Sequence, residues 1–134
     1  MKNKIALDTN ILVYLYDEEN ENKRKISELL VVEKPIISSQ VISEFLNVTK
    51  RLLKLPKLEI LQKANILFSK CEIISVNQET LDKALYLIQR YDFQLFDSLI
   101  VASALQSNCM VLYSEDLHHN LLVENRLRVI NPFI

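Results

Sequence analysis

Apolar positions along the chain follow two different periods. Short apolar runs of strand type fall near residues 4–7, 35–38, 72–76 and 110–113, with an edge strand at 128–130. Between them, apolar residues recur at helical spacing over 10–16, 22–32, 40–53, 57–70, 79–90 and 95–107. This alternation predicts an α/β architecture: a three-layer α/β/α sandwich around a mostly parallel sheet of four or five strands. Ser38 or Ser39, and Asn77, sit where a side-chain oxygen can cap a first helical turn. Pro56 separates two helical patterns, so Leu53-Lys54-Leu55-Pro56 reads as the tip of a protruding helical hairpin.

Composition narrows what such a domain can do. With 134 residues, 49% of them hydrophobic, the chain suits a single domain over 1–134. Glycine is absent altogether. That zero excludes the G-x-x-x-x-G-K phosphate loop, the G-x-G-x-x-G dinucleotide turn and the G-x-S-x-G nucleophile elbow, each of which needs backbone that a Cβ blocks. Sixteen Lys and Arg against 17 Asp and Glu leave a net charge of −1, which neither announces nor excludes a nucleic-acid binder. Cys71 and Cys109 form no C-x-x-C motif and read as small core residues of a reducing compartment. The run Ile5-Ala6-Leu7 is too short for a signal-peptide core and Ile11 to Tyr16 for a membrane span, so a cytoplasmic protein is expected.

Placement of the acids carries the chemistry. Asp8 ends the apolar run Ile5-Ala6-Leu7 and opens a helix, which puts it at the carboxyl end of a strand, the edge where open α/β sheets place ligands. Asp116 follows Met110-Val111-Leu112-Tyr113 at the same kind of exit. Asp97 lies in Leu95-Phe96-Asp97-Ser98-Leu99-Ile100-Val101, apolar or small around the whole helix, and is expected to be buried there. A buried carboxylate is costly unless it is paired or binds a cation. Glu44 falls in the first turns of its helix, within Val41-Ile42-Ser43-Glu44-Phe45-Leu46. Taken singly, Asp8 reads equally as a helix N-cap and Glu44 as a solvated face. Taken together, four converging carboxylates either take up protons or bind a divalent cation. Oxygen ligands alone favour Mg²⁺ or Mn²⁺ over Zn²⁺. His118 and His119 adjoin Asp116, but neighbouring residues rarely serve one tetrahedral site, and they read as a surface turn.

At these residues the sequence resembles the PIN-domain ribonucleases, and within them the toxins of VapBC-type toxin–antitoxin pairs. The resemblance runs through Leu7-Asp8-Thr9-Asn10, Ser43-Glu44-Phe45, Phe96-Asp97-Ser98-Leu99-Ile100-Val101-Ala102-Ser103-Ala104 and Tyr113-Ser114-Glu115-Asp116-Leu117 to the closing Arg126-Leu127-Arg128-Val129-Ile130-Asn131-Pro132-Phe133. It implies that Asp8, Glu44, Asp97 and Asp116 form an acidic site for Mg²⁺ or Mn²⁺, supported by Thr9, Asn10 and Ser114. It also implies RNA cleavage by an activated water, a growth-inhibiting role, a cognate antitoxin covering the site, and a homodimer. Where many relatives have Gly after the fourth acid, this chain has His118-His119-Asn120, and Asn120 is the residue suited to a left-handed turn.

RNA would require a local positive track, for which Lys23, Arg24 and Lys25, and Lys50, Arg51, Lys54 and Lys57, are candidates; each also reads as part of a solvated helix face. Leu52, Leu53, Leu55, Leu58 and Leu61 of the hairpin read as core, with a partner surface as the alternative. Two other functions stay open on sequence. One is a catalytically silent RNA- or protein-binding module. The other is a phosphatase using Asp8 as nucleophile, although Asn10 stands where such a motif wants a second acid.

Overall fold

The computed structural model describes residues 4–134; residues 1–3, included in the expected domain, lie outside the described residues. In chain order the elements are β1 (Ile5–Leu7), α1 (Thr9–Val13), a 3₁₀ turn (Tyr14–Tyr16), α2 (Glu21–Val32), β2 (Ile36–Ser38), α3 (Ser39–Leu53) and α4 (Lys57–Phe68). They continue with β3 (Glu72–Ile74), α5 (Gln78–Tyr91), α6 (Leu95–Gln106), β4 (Val111–Tyr113), β5 (Leu122–Val123) and β6 (Leu127–Ile130). Ser38 caps α3 by accepting from the Val41 amide at 3.3 Å. Asn77 caps α5 in a reciprocal pair with Thr80. The expected helix over 10–16 instead tightens into a 3₁₀ turn at Tyr14.

The strands form one sheet in the order β3-β2-β1-β4-β6-β5, flanked by helices. Its pairs are parallel except β5 with β6. Six strands therefore replace the expected four or five, because β5 has only two residues and shows no period of its own. Strand order reverses between β1 and β4, where Leu7 lies opposite Tyr113. In open α/β sheets this switch opens a crevice beyond the carboxyl ends of the strands.

The core lies between the sheet and its helices. Leu7, Ile37, Leu112 and Val129 from the strands meet Ile11, Val41, Val101 and Leu105, all 1% exposed or less. Each such side chain contributes about 1.5–3 kcal/mol through burial. Along α6, burial is continuous from Ile100 to Leu105, as its all-round apolar pattern predicts. Phe45 anchors the hairpin, packing edge-on against Phe68 with ring centres 5.4 Å apart. Leu52, Leu58 and Leu61 do not join this core: they are 63%, 66% and 57% exposed, which corrects their reading as packing residues. Leu53 and Leu55 are half-buried. Cys71 and Cys109 are buried free thiols, and burial pushes both up to about 11, so neither is a reactive nucleophile at neutral pH. No described helix is long and apolar enough to cross a membrane.

Turns that usually use glycine are made without it. Lys34, Lys54, Asp92, Asn108, Asn120, Glu124 and Asn125 all take positive φ, between 51° and 70°. Asn108 shows the device at a helix end. It donates to the Leu105 carbonyl at 3.1 Å, and the next amide, of Cys109, donates to the Ala104 carbonyl at 3.0 Å, which is the double bond that normally closes a helix through glycine. Asn120, at φ 70°, fulfils the expectation drawn from its sequence position. For lysine this conformation costs about 1–2 kcal/mol, part of which glycine would return as unfolded-state entropy. Lys34→Gly and Lys54→Gly should each raise stability by about 0.5–1 kcal/mol in urea melts at unchanged m, whereas Lys34→Ala should not.

Candidate functional site

Parallel pairing of β1 with β4 brings together residues 106 positions apart. The chain leaves β1 at Asp8, whose amide donates to the Tyr113 carbonyl at 2.9 Å. Asp8 caps α1: its Oδ1 accepts from the Thr9 amide at 2.7 Å, while its Oδ2 accepts from the Ser114 hydroxyl at 2.8 Å. Both Asp8 and Ser114 are buried. The N-cap reading of Asp8 is thus correct, and the cap fixes the carboxylate at the sheet edge.

The other acids arrive from three further elements. Glu44, on the second turn of α3, accepts from the Thr9 hydroxyl at 2.7 Å and from Gln40 Nε2 at 2.9 Å. It is half-buried and faces the cavity, not the solvated side that its position alone suggests. Asp97 lies in the first turn of α6 and is only half-buried, contrary to the expectation of full burial. A first-turn residue sits at the helix end, where the sheet no longer covers it, and the helix dipole favours its negative charge. Asp116 is exposed and accepts from Asn10 Nδ2 at 3.0 Å; Asn10 also lies 3.5 Å from Asp8 Oδ2. Thr9, Asn10 and Ser114 therefore all hydrogen-bond to the acids.

These four carboxylates line one cavity of about 350 Å³ together with Thr9, Asn10, Val13, Tyr14 and Val48. Size does not single it out, since a cavity of about 450 Å³ lies beside Glu79, Lys83, Tyr86 and Arg126. Electrostatics does. Burial, opposed by the bonds from Ser114 and Thr9 and reinforced by Asp97 and Glu44, pushes Asp8 up to about 6. Burial, then Asp116 and Glu44, raises Asp97 as well. The charged forms of Asp8 and Asp97 are thus disfavoured, so the site favours a counter-cation. Hard, anionic oxygens of this kind match a divalent ion such as Mg²⁺ or Mn²⁺. Among the described residues no three acid, His or Cys side chains already close around a common point. Hydrogen bonds instead turn Asp8 toward Ser114, Glu44 toward Gln40 and Asp116 toward Asn10.

The basic residues divide. Lys23 is closed onto Glu115 at 2.6 Å, and Arg24 and Lys25 make pairs within α2 with Glu28 and Glu21, so the 23–25 tract is not an open positive track. Lys50, Arg51 and Lys54 are exposed without an acidic partner among the described residues. His118 is exposed, and His119 accepts from the Asn131 amide away from the acids. Sequence reasoning missed Tyr14, Val48 and Gln40. Tyr14 and Gln40 each stand one helical turn from a singled-out residue, Asn10 and Glu44, which is a usable signal.

Comparison with known families matches residues 5–122 to the PIN domain. Comparison with curated proteins gives no match. Solved structures of similar fold include a toxin–antitoxin complex from Klebsiella pneumoniae, at 21% identity and TM-score 0.73 over 97% of this chain and 98% of that one. VapBC2 from Rickettsia felis, bound to a DNA fragment from its promoter, aligns at 23% identity and TM-score 0.66 over 93% and 97%. VapC20 from Mycobacterium tuberculosis, a sarcin-ricin-loop-cleaving toxin, aligns at 17% and 0.67 over 84% and 92%. Likeness at such identities concerns the fold.

The raised Asp8 has a measurable consequence for stability. Its carboxyl rises from 3.8 when unfolded to about 6 when folded, so ionisation costs nothing below pH 3.8 and its full penalty applies above pH 6. In EDTA, Asp8→Asn should therefore be more stable than the parent at pH 7, by up to about 3 kcal/mol. The gain should shrink as pH falls from 6 to 4 in paired thermal or urea melts.

Proposed function

The chain belongs to the PIN-domain family, and from that premise we propose that it is a VapC-type toxin: an endoribonuclease dependent on Mg²⁺ or Mn²⁺ and restrained by a cognate antitoxin. The observation that carries this reading is the cavity at the β1–β4 switch, where four carboxylates from different elements face one another and Asp8 is pushed up to about 6. The VapC20 likeness adds a toxin described as cleaving the sarcin-ricin loop.

When bound, the divalent cation would supply charge neutralisation for a phosphodiester and a more acidic water. Asp8, Glu44, Asp97 and Asp116 would hold it. The protein's remaining work is orientation. Ser114 and the Thr9 amide keep the Asp8 oxygens fixed, and the Thr9 hydroxyl and Gln40 hold Glu44. Asn10 ties Asp116 to the first helix. Water is the nucleophile in this reading: no Ser, Cys or His lines the cavity, and the Thr9 and Tyr14 hydroxyls are donated to Glu44 and Glu115. Asn10 donates its amide to Asp116 and cannot act as the second acid of an Asp8 phosphatase.

In this reading the antitoxin would cover the acidic cavity. A homodimer would draw on exposed leucines such as Leu52, Leu58 and Leu61. The fold, with no described helix able to span a membrane, suits a cytoplasmic toxin. One observation favours a second reading, a catalytically silent RNA- or protein-binding module: no three of the candidate ligands already close around a common point.

Purified protein incubated with structured RNAs should cleave them in Mg²⁺ or Mn²⁺ and not in EDTA. Asp8→Asn and Asp97→Asn should each lower the rate at least about 100-fold. Cleavage that survives both substitutions rejects the assignment, and RNA binding without cleavage selects the silent module. Replacing Lys50, Arg51 and Lys54 together should weaken RNA binding and flatten its dependence on log salt, by about 0.7 for each single-strand phosphate that is no longer neutralised; an unaltered slope removes these residues from the interface.

A further inference from the structure

Glu115 stands between Ser114 and Asp116, yet its carboxylate does not line the acidic cavity. It turns outward to Tyr14 and Lys23. Tyr14 donates its hydroxyl to Glu115 Oε1 at 2.6 Å, and Lys23 Nζ bonds Glu115 Oε2 at 2.6 Å and the Tyr14 oxygen at 3.2 Å. The group is packed from behind: the Tyr14 ring meets Phe133 edge-on at 5.1 Å, and Lys23 Nζ lies 4.8 Å and 5.3 Å from the two ring centres. Lys23 comes from α2, Tyr14 from the 3₁₀ turn and Phe133 from beyond β6, so three separate segments fasten one side chain.

On the cavity side the same short segment is held by lighter bonds. The Glu115 amide donates to Asn10 Oδ1 at 3.2 Å, and the Asp116 and Leu117 amides donate to Ser114 Oγ at 3.3 Å each. Asp116 itself is exposed, with Asn10 as its one side-chain hydrogen-bond partner among the described residues. An exposed carboxylate on an irregular segment has many orientations to lose, and a neighbour held by a charge-assisted, ring-packed contact removes part of that freedom in advance.

We propose that Lys23, Tyr14 and Glu115 form a clamp that fixes residues 114–117 so that Asp116 faces the acidic cavity, making Lys23 and Glu115 positioning residues for cation binding. This inference rests on the proposed function for its metal, while the clamp itself is a claim about the chain alone. It assigns Lys23 a task different from contacting RNA.

The sign of two substitutions separates positioning from the simple electric field. Lys23→Met removes a positive charge near an acidic site, so through the field alone it tightens cation binding; Glu115→Gln removes a negative charge and loosens it. Loss of positioning loosens both. Mn²⁺ titrated into the purified full chain and followed by electron paramagnetic resonance should show about three- to tenfold weaker binding in each variant. Lys23→Arg should stay within about twofold of the parent, and if Lys23→Met does not fold, the amide exchange of Glu115→Gln carries the test. In an Asp116→Asn background Lys23→Met should no longer weaken Mn²⁺ binding, and Glu115→Gln should retain only the smaller loss due to its charge.

Amide exchange, measured without metal, should speed up at Glu115, Asp116 and Leu117 by about fivefold or more in both variants, with β4 unchanged. Tighter Mn²⁺ binding by Lys23→Met, or unchanged exchange at these amides, overturns the clamp. If the parent chain takes up no Mn²⁺, the proposed function fails, and the exchange measurement decides the clamp by itself.

Discussion

Carboxylates that share a cavity repel, by roughly 4 kcal/mol for a pair 4 Å apart at an effective dielectric near 20. The arrangement around the β1–β4 switch is a response to that repulsion. Each acid except Asp97 is given neutral donors: Ser114 and the Thr9 amide for Asp8, the Thr9 hydroxyl and Gln40 for Glu44, Asn10 for Asp116. Asp97 has the start of α6 instead, whose partial positive charge acts on its first turn. Neutral donors and a helix end stabilise the acids without cancelling their charge, as a lysine in the cavity would. The Lys23 ammonium is engaged by Glu115, an acid that faces outward.

Much of this was legible in the sequence because it depends on local rules. Asp8 ends an apolar strand run and opens a helix, so its capping role and its place at the sheet edge follow from neighbouring residues alone. Ser114 and Asp116 repeat the logic at β4, and Asn77 and Asn120 announce a cap and a left-handed turn by residue type. Other features depended on contacts that no local rule reveals. Lys23 looks like part of a free basic tract until Glu115, 92 residues away, arrives beside it. Asp97 has an apolar helical neighbourhood, which predicts burial, but its position in the first turn lifts it to the rim. The hairpin leucines have the spacing of core residues, and only the three-dimensional arrangement leaves Leu52 and Leu58 without cover.

The absence of glycine proves to be a constraint on turns more than on chemistry. Among the described residues, seven with a Cβ occupy the left-handed region, four of them asparagine or aspartate and three lysine or glutamate. In the β5–β6 hairpin both central residues, Glu124 and Asn125, are of this kind, and Glu124 gains compensation by bonding to Tyr91 and pairing with Lys83 and Arg90. At Glu124 the strain is offset locally by contacts that glycine could not make.

The pairing of β1 with β4 also sets an order of events. Asp8 and Ser114 stand 106 positions apart, with β2, β3 and six helices between them. Contacts so distant in sequence close late, since the entropy of the intervening loop must be overcome first. During synthesis from the amino terminus, β1 waits for this neighbour until β4 has emerged from the ribosome. A nascent chain that lacks β4 therefore carries Asp8 without Ser114 or Asp116 beside it.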